Sequence, residues 1–279
     1  MKKCTFLLSL LLMVISSSCK TDKKEPDAAM SESEPVSTIM GKEVVYQTAT
    51  TAMKGYLAYD SAVSGKRPGI LVVHEWWGHN EYTRERARML AELGYTALAV
   101  DMYGDGKQAN HPDDAGKFSG MVMQNIDEAT ARFNAALELL KSQATVDSTE
   151  IAAIGYCFGG SVVLTMANAG EDLDAVAAFH SGVQLPIMPS DKLKARVLVC
   201  NGGADPFVSP ESVMAFKSAM DSIGARYEYI AYEGAQHAFT SKDADSLGMK
   251  FKLPLAYQEK ADRESWKKLQ ELLNDTFNK

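Results

Sequence analysis

The chain has 279 residues, 46% of them hydrophobic, and a formal net charge of −7 at pH 7. This length and composition suffice for one sizeable hydrophobic core. The acidic charge, without a basic cluster, argues against nucleic acid as a partner, because phosphate binding requires a concentrated positive surface.

The N-terminal residues have the pattern of a targeting sequence. Two lysines precede an apolar run at 6–15, and three serines lead to Cys19. This order is typical of a secretory signal, which we predict at residues 1–18. We expect Cys19 to carry lipid, as in bacterial lipoproteins, and residues 19–42 to form a flexible tether. The protein would then be lipid-anchored in the bacterial cell envelope, on the periplasmic side or at the outer membrane. Cleavage without lipidation and an ordered arm are the alternatives.

The folded domain is predicted to cover residues 43–279. Continuous apolar runs indicate strands buried on both faces, and segments with helical spacing alternate with them. The predicted strands are 43–48, 54–60, 69–74, 96–101, 151–155, 175–179, 196–200 and 227–231. The predicted helices are 82–93, 126–140, 158–169, 210–222 and 260–277, with a polar, Gly-rich excursion at 103–120. This alternation predicts one α/β domain with a mostly parallel central sheet and helices on both faces.

The strongest local signal is the segment Gly-Tyr-Cys-Phe-Gly at 155–159, where a buried strand meets a helix. A strand that turns directly into a helix strains its central residue, and flanking glycines avoid collisions in so tight a turn. The turn presents Cys157 beside the free amides of a helix N-terminus, which favour negative charge. We therefore interpret Cys157 as a nucleophile, although the motif alone also fits a structural cysteine.

Two further polar residues follow later strands in Gly-rich loops. Asp205 comes after the strand 196–200, and His237 comes after the strand 227–231. The order nucleophile, acid, base is the one that α/β-hydrolases use. The sequence thus predicts a Cys157–His237–Asp205 triad at the carboxyl edge of the sheet.

Four segments together resemble the dienelactone hydrolase family: HEWWG near the front, then GYCFGG, NGGADPFV and GAQHAF. The similarity spans residues 43–278 and implies an α/β-hydrolase fold and cleavage of a small ester or lactone. By this resemblance Cys157 attacks the substrate, His237 is the base and Asp205 orients the imidazole. The oxyanion hole would consist of the backbone amides of Phe158 and Trp76.

The resemblance also implies roles around the triad. Glu75 would contact the resting thiol of Cys157 and take part in its activation, and a nearby carboxylate disfavours a thiolate.

The family holds a substrate carboxylate with arginines that this sequence lacks, because Gly104 follows the tyrosine and Thr240 follows the last aromatic residue. A neutral ester or lactone is therefore the expected small-molecule substrate. The residues expected to line the substrate pocket are Trp77, Tyr103, Phe207 and Phe239.

No cofactor or metal is expected. The segment 74–79 holds two histidines, but they lie five residues apart after a strand, whereas zinc proteases carry two histidines four residues apart on a helix.

Two other classes of function remain open. One is a tethered binding protein without catalysis, and the other is thiol redox chemistry centred on Cys157, for which Cys200, expected to be buried in its strand, is not an obvious resolving cysteine. The oligomeric state is left open.

Overall fold

The computed structural model describes residues 38–277, and a single twisted sheet organises this part of the chain. Its strands are β1 (Ile39–Gln47), β2 (Ala52–Asp60), β3 (Arg67–Val73), β4 (Thr96–Val100), β5 (Val146–Tyr156), β6 (Ala175–Phe179), β7 (Arg196–Gly202) and β8 (Tyr227–Tyr232). They lie in the order β1-β2-β4-β3-β5-β6-β7-β8, with β2 antiparallel to both of its neighbours, β1 and β4, and every other adjacent pair parallel. The predicted signal peptide, Cys19 and most of the tether lie outside the described residues.

Helices cover both faces of the sheet. They are α1 (Glu81–Glu92), α2 (Pro112–Gln124), α3 (Ile126–Lys141), α4 (Phe158–Ala169), α5 (Pro210–Ser222), α6 (Ala244–Phe251) and α7 (Glu259–Phe277). Alternate residues of a strand point to opposite faces. Leu71 of β3 accordingly belongs to the core cluster that α3, α4 and α5 share, whereas Ile70 belongs to the cluster that α1 and α7 share. This is the α/β-hydrolase architecture that the sequence predicted. No helix within residues 38–277 has the length and apolar character needed to cross a bilayer.

Most predicted elements agree with the structure to within a few residues, but the start of the domain was placed too late. Strand β1 begins at Ile39 and pairs along its whole length with β2. Residues 39–42, assigned to the tether, therefore belong to the sheet. The reason is that β1 is an edge strand with mostly exposed side chains, so its first half shows no regular apolar alternation.

Two helices were missed. The segment 103–120 was predicted to be irregular, yet α2 begins at Pro112, after an N-cap in which the His111 ring accepts from the Asp113 amide. Gly116 and Gly120 lowered its apparent helical propensity. The eight-residue helix α6, after the His237 loop, was also missed because it is short and its N-cap residue makes no side-chain bond.

Candidate active site

Cys157 occupies a sharp turn between β5 and α4. Its backbone angles are φ 54° and ψ −116°, a strained conformation for a residue with a side chain. Its amide donates to Phe179 O at 2.9 Å, which fixes the turn to β6. A Cβ on Gly159 would overlap the Val73 carbonyl oxygen and lie 2.6 Å from His74 O. The glycine is therefore required where α4 begins against β3, and the turn has the geometry of a nucleophile elbow.

The side chains of His237 and Asp205 meet at the ends of β8 and β7. His237 Nδ1 lies 2.7 Å from Asp205 Oδ2, and Asp205 Oδ1 accepts from the Phe207 amide at 2.9 Å. Burial lowers the pKa of His237, but the charges of Cys157 and Asp205 and the bond to Asp205 outweigh it and raise the pKa to about 10. The site therefore stabilises an imidazolium beside the thiol.

Cys157 and His237 line one open cavity of about 470 Å³. Within residues 38–277, no lysine, arginine, aspartate or glutamate belongs to its walls. The remaining wall residues are mostly apolar or small: Trp76, Gly116, Ser119, Gly120, Met123, Phe158, Ser161, Gly182, Gln184, Pro186, Phe207 and Leu255. The sulfur and the imidazole thus share one chamber, in which an uncharged molecule can be bound.

Two backbone amides beside this cavity are free to receive negative charge. Phe158 is the first residue of α4, where an amide has no partner within the helix. Trp76 lies in the turn after β3, and no hydrogen bond within the described chain uses its amide. Tyr103 donates its hydroxyl proton to Trp76 O at 2.9 Å and so fixes this turn. The arrangement provides the parts of an oxyanion hole.

Glu75 is buried, but its carboxylate lines a different cavity from that of Cys157. This polar cavity, of about 530 Å³, also has Asn80, Gln108 and Asp243 in its walls. Burial raises the pKa of Glu75 to about 7, although the charges of His237 and Arg86 oppose the rise. No hydrogen bond joins Glu75 to Cys157 in the described chain. The contact with the resting thiol that the resemblance implied stays a prediction, and among Cys157, His237 and Asp205 it is His237 whose charge lowers the pKa of Glu75.

The predicted pocket aromatics separate into two groups. Phe207 stands at the cavity wall, 55% exposed, with its ring edge on His237 at 5.0 Å between centroids. Trp77 instead stacks on Phe251 and lines the polar cavity, and Phe239 is fully buried between Tyr232 and His180. Neither Trp77 nor Phe239 lines the Cys157 cavity.

Tyr103 is likewise buried rather than exposed to substrate. Its ring packs on Phe158 and His74, with centroids 5.5 and 4.6 Å away, and does not reach the Cys157 cavity. It acts on the site through the Trp76 carbonyl.

Sequence reasoning missed the α2 face and Leu255 as cavity walls. The Pro-Asp-Asp segment at 112–114, a typical first helical turn, was the available signal for α2.

The second thiol of the domain is buried and remote from solvent. Cys200 is fully buried in β7, and both Cys157 and Cys200 are free thiols. Burial raises the pKa of the Cys200 thiol to about 12.

No group of three or more potential metal ligands occurs within residues 38–277.

A mostly parallel sheet with a nucleophile elbow between β5 and α4 defines the chain as an α/β-hydrolase. The sequence model of the dienelactone hydrolase family matches residues 53–277, and the chain belongs to that family. It is therefore a hydrolase.

Several known proteins are similar to this chain. Protein usf of Aquifex pyrophilus is 28% identical over 213 residues, covering 75% of this chain and 90% of that protein. A protein of Aquifex aeolicus (strain VF5), provisionally named a carboxymethylenebutenolidase, is 27% identical with the same coverage. Among solved structures, m3DLH is 35% identical with a TM-score of 0.82. A dienelactone hydrolase-like promiscuous phosphotriesterase from metagenomic libraries is 33% identical with a TM-score of 0.80. Each of these two covers 86% of this chain and 99% of its own.

Proposed function

We propose that this hydrolase cleaves a small neutral ester or lactone with the thiol of Cys157 as the nucleophile. The observation that carries the proposal is the 2.7 Å bond from Asp205 to His237, together with a cavity that His237 and Cys157 both line. Asp205 holds one ring nitrogen, so the other is available to accept and donate a proton in the cavity.

The reaction proceeds in two halves. The proton of the Cys157 thiol rests on His237, because the raised pKa of the ring favours the imidazolium, and the thiolate sulfur attacks the carbonyl carbon of the substrate. The resulting oxyanion is stabilised by the amides of Phe158 and Trp76. His237 then donates its proton to the leaving alkoxide as the C–O bond breaks, which leaves a thioester on Cys157. A water molecule, deprotonated by His237, attacks the thioester; the C–S bond breaks, the carboxylic acid leaves, and the thiolate and imidazolium are restored.

The walls of the cavity favour an uncharged substrate. Apart from His237 itself they carry no charged side chain within the described residues, so a substrate carboxylate would lose its hydration without finding a lysine or arginine as a partner. The sequence also lacks the family's arginines after Tyr103 and Phe239. Both facts support a neutral substrate over a dienelactone carboxylate.

The direct test compares two cysteine variants on activated aryl esters and lactones. We expect Cys157→Ala to abolish turnover and to trap no thioester, whereas Cys200→Ala, in the core, retains most of the activity. A phosphotriester belongs in the panel because the metagenomic relative is named a promiscuous phosphotriesterase. Equal turnover by Cys157→Ala and the wild-type protein would refute the proposal.

Two alternatives have distinct outcomes in the same experiments. A tethered binding protein would turn over no ester, and its folded Cys157 would resist every electrophile. A thiol redox protein would yield a Cys157–Cys200 disulfide in mass spectra of the native protein. The free thiols and the deep burial of Cys200 disfavour that pairing.

We also propose that Cys19 is acylated and tethers the domain to the envelope, on the basis of the sequence pattern at 1–19. Metabolic labelling with a tritiated fatty acid in a bacterial host tests this proposal. Label should enter the wild-type protein and be lost in Cys19→Ser, and label that persists in Cys19→Ser would contradict it.

A further inference from the structure

We infer that Gly116 and Gly120 of α2 set the width of the Cys157 cavity and thereby select an apolar substituent on the substrate. This inference deepens the proposed function and rests on it for the substrate class. It assigns a role to the residues of α2 that line the cavity, whereas the proposed function depends on the Cys157–His237–Asp205 triad.

One face of α2 forms this wall. Gly116, Ser119, Gly120 and Met123 all line the cavity, and they follow the spacing of residues on one side of a helix. A flanking side of α2 is anchored, since Ala115 and Val122 are buried. The helix is thus held at a fixed position, with its smallest residues toward the sulfur.

The two glycines have no packing reason to be glycine. A Cβ at Gly116 would meet nothing within 4 Å, and one at Gly120 would meet only the flexible end of Gln124 at 3.9 Å. Gly159 of the elbow differs, because backbone atoms exclude a Cβ there. Glycine inside a helix is less stable than alanine, so these positions cost helix stability. Because Gly116 and Gly120 have no side chain, they leave space in the cavity that a larger residue would fill.

The two serine hydroxyls of the wall are already engaged. The Ser119 hydroxyl donates to Ala115 O at 2.8 Å, and the Ser161 hydroxyl donates to Gly182 O at 2.9 Å. Trp76, Met123 and Phe158 supply the apolar surface around them. The space beside α2 therefore suits a hydrocarbon group of the ester or lactone.

The experiment uses full-length Gly116→Leu and Gly120→Leu, with Met121→Leu as the matched control. Met121 is adjacent on α2 but is 63% exposed and absent from this cavity. One readout is kcat/KM for p-nitrophenyl acetate, butyrate and octanoate. The other is the rate at which maleimides with N-ethyl, N-hexyl and N-benzyl groups alkylate Cys157, a reaction that requires no hydrolysis. Thermal melting monitors folding and should show midpoints at or above that of the wild-type protein.

In both glycine variants we expect the octanoate-to-acetate ratio, and the hexyl-to-ethyl ratio of alkylation rates, to fall by about tenfold or more. Met121→Leu should keep both wild-type ratios. Unchanged ratios in folded glycine variants would overturn the inference, and so would an equal change in Met121→Leu. If no protein cleaves any ester but the alkylation ratios still fall, the proposed function fails while the role of the glycines is upheld. If esters are cleaved but both ratios are unchanged in the glycine variants, the inference about the glycines fails while the proposed function is upheld.

Discussion

Nδ1 of His237 lies 2.7 Å from Oδ2 of Asp205, although the two residues are 32 positions apart in the sequence. The bond joins the loops after β7 and β8, neighbouring parallel strands whose carboxyl ends share one edge of the sheet. The amide of Phe207 holds the other carboxylate oxygen. Asp205 is thereby fixed in orientation before any substrate arrives, and it fixes the imidazole in turn.

Replacement of this acid tests its role. Asp205→Asn removes the charge that favours the imidazolium, so the pKa of His237 should fall from about 10 and kcat should drop by roughly a hundredfold or more. NMR titration of the histidines and steady-state kinetics measure the two effects. Asp172→Asn, which removes an exposed carboxylate paired with Lys141, is the control and should alter neither. A kcat for Asp205→Asn within twofold of the control would contradict the assignment.

Glu75 should make the stability of the protein depend on pH. Its pKa is raised by burial from 4.5 to about 7, so the folded state prefers the protonated form. The stabilising contribution is fully present below pH 4.5 and is lost as the pH rises through about 7. Glu75→Gln imitates the protonated carboxyl. It should match the wild-type protein at low pH and exceed it by on the order of 3 kcal/mol above the raised pKa.

Urea unfolding at a series of pH values measures this difference in the free energy of unfolding. Glu92→Gln, at an exposed position of α1, is the control and should follow the wild-type curve. A Glu75→Gln curve parallel to that of the wild-type protein would show that the buried carboxyl titrates normally.

The elbow glycine and the cavity glycine should respond oppositely to the same substitution. Gly159→Ala forces a Cβ against the carbonyls of Val73 and His74, which belong to the sheet and its end and cannot move aside. We expect a loss of about 3 kcal/mol in the free energy of unfolding, or failure to fold. Gly116→Ala should gain about 1 kcal/mol, because nothing opposes the added methyl and alanine favours the helix. Equal effects at the two positions in chemical denaturation would be inconsistent with this structure.

The two thiols should differ sharply in reactivity. Cys157 is partly exposed in the cavity, whereas Cys200 is fully buried with a pKa raised to about 12. Of these two thiols, iodoacetamide should therefore label only Cys157 in the folded protein and both in denaturant, as measured by peptide mass spectrometry. Rapid labelling of Cys200 in the native state would show that β7 opens. Failure to label Cys157 would favour the binding-protein alternative.

The sequence by itself determined the order of the elements, the elbow around Cys157 and the acid and base that follow later strands. These features are local, because they depend on apolar runs, on glycines in tight turns and on the chain order of the loops. The sequence also shows that the arginines expected from the family resemblance, which would hold a substrate carboxylate, are absent. It could not distinguish Phe207 from Phe239, because the side of a loop that each ring faces depends on packing against distant strands.

Only the tertiary structure decided which cavity each side chain enters. Glu75 follows Val73 by two positions and was expected beside Cys157; it lines the polar cavity, whose other walls come from α1, α6 and the loop of Asp243, all distant in the sequence. The helix α2 was missed for the same kind of reason. Gly116 and Gly120 weaken its local helical signal, while the burial of Ala115 and Val122, a non-local contribution, stabilises the helix above the sulfur of Cys157.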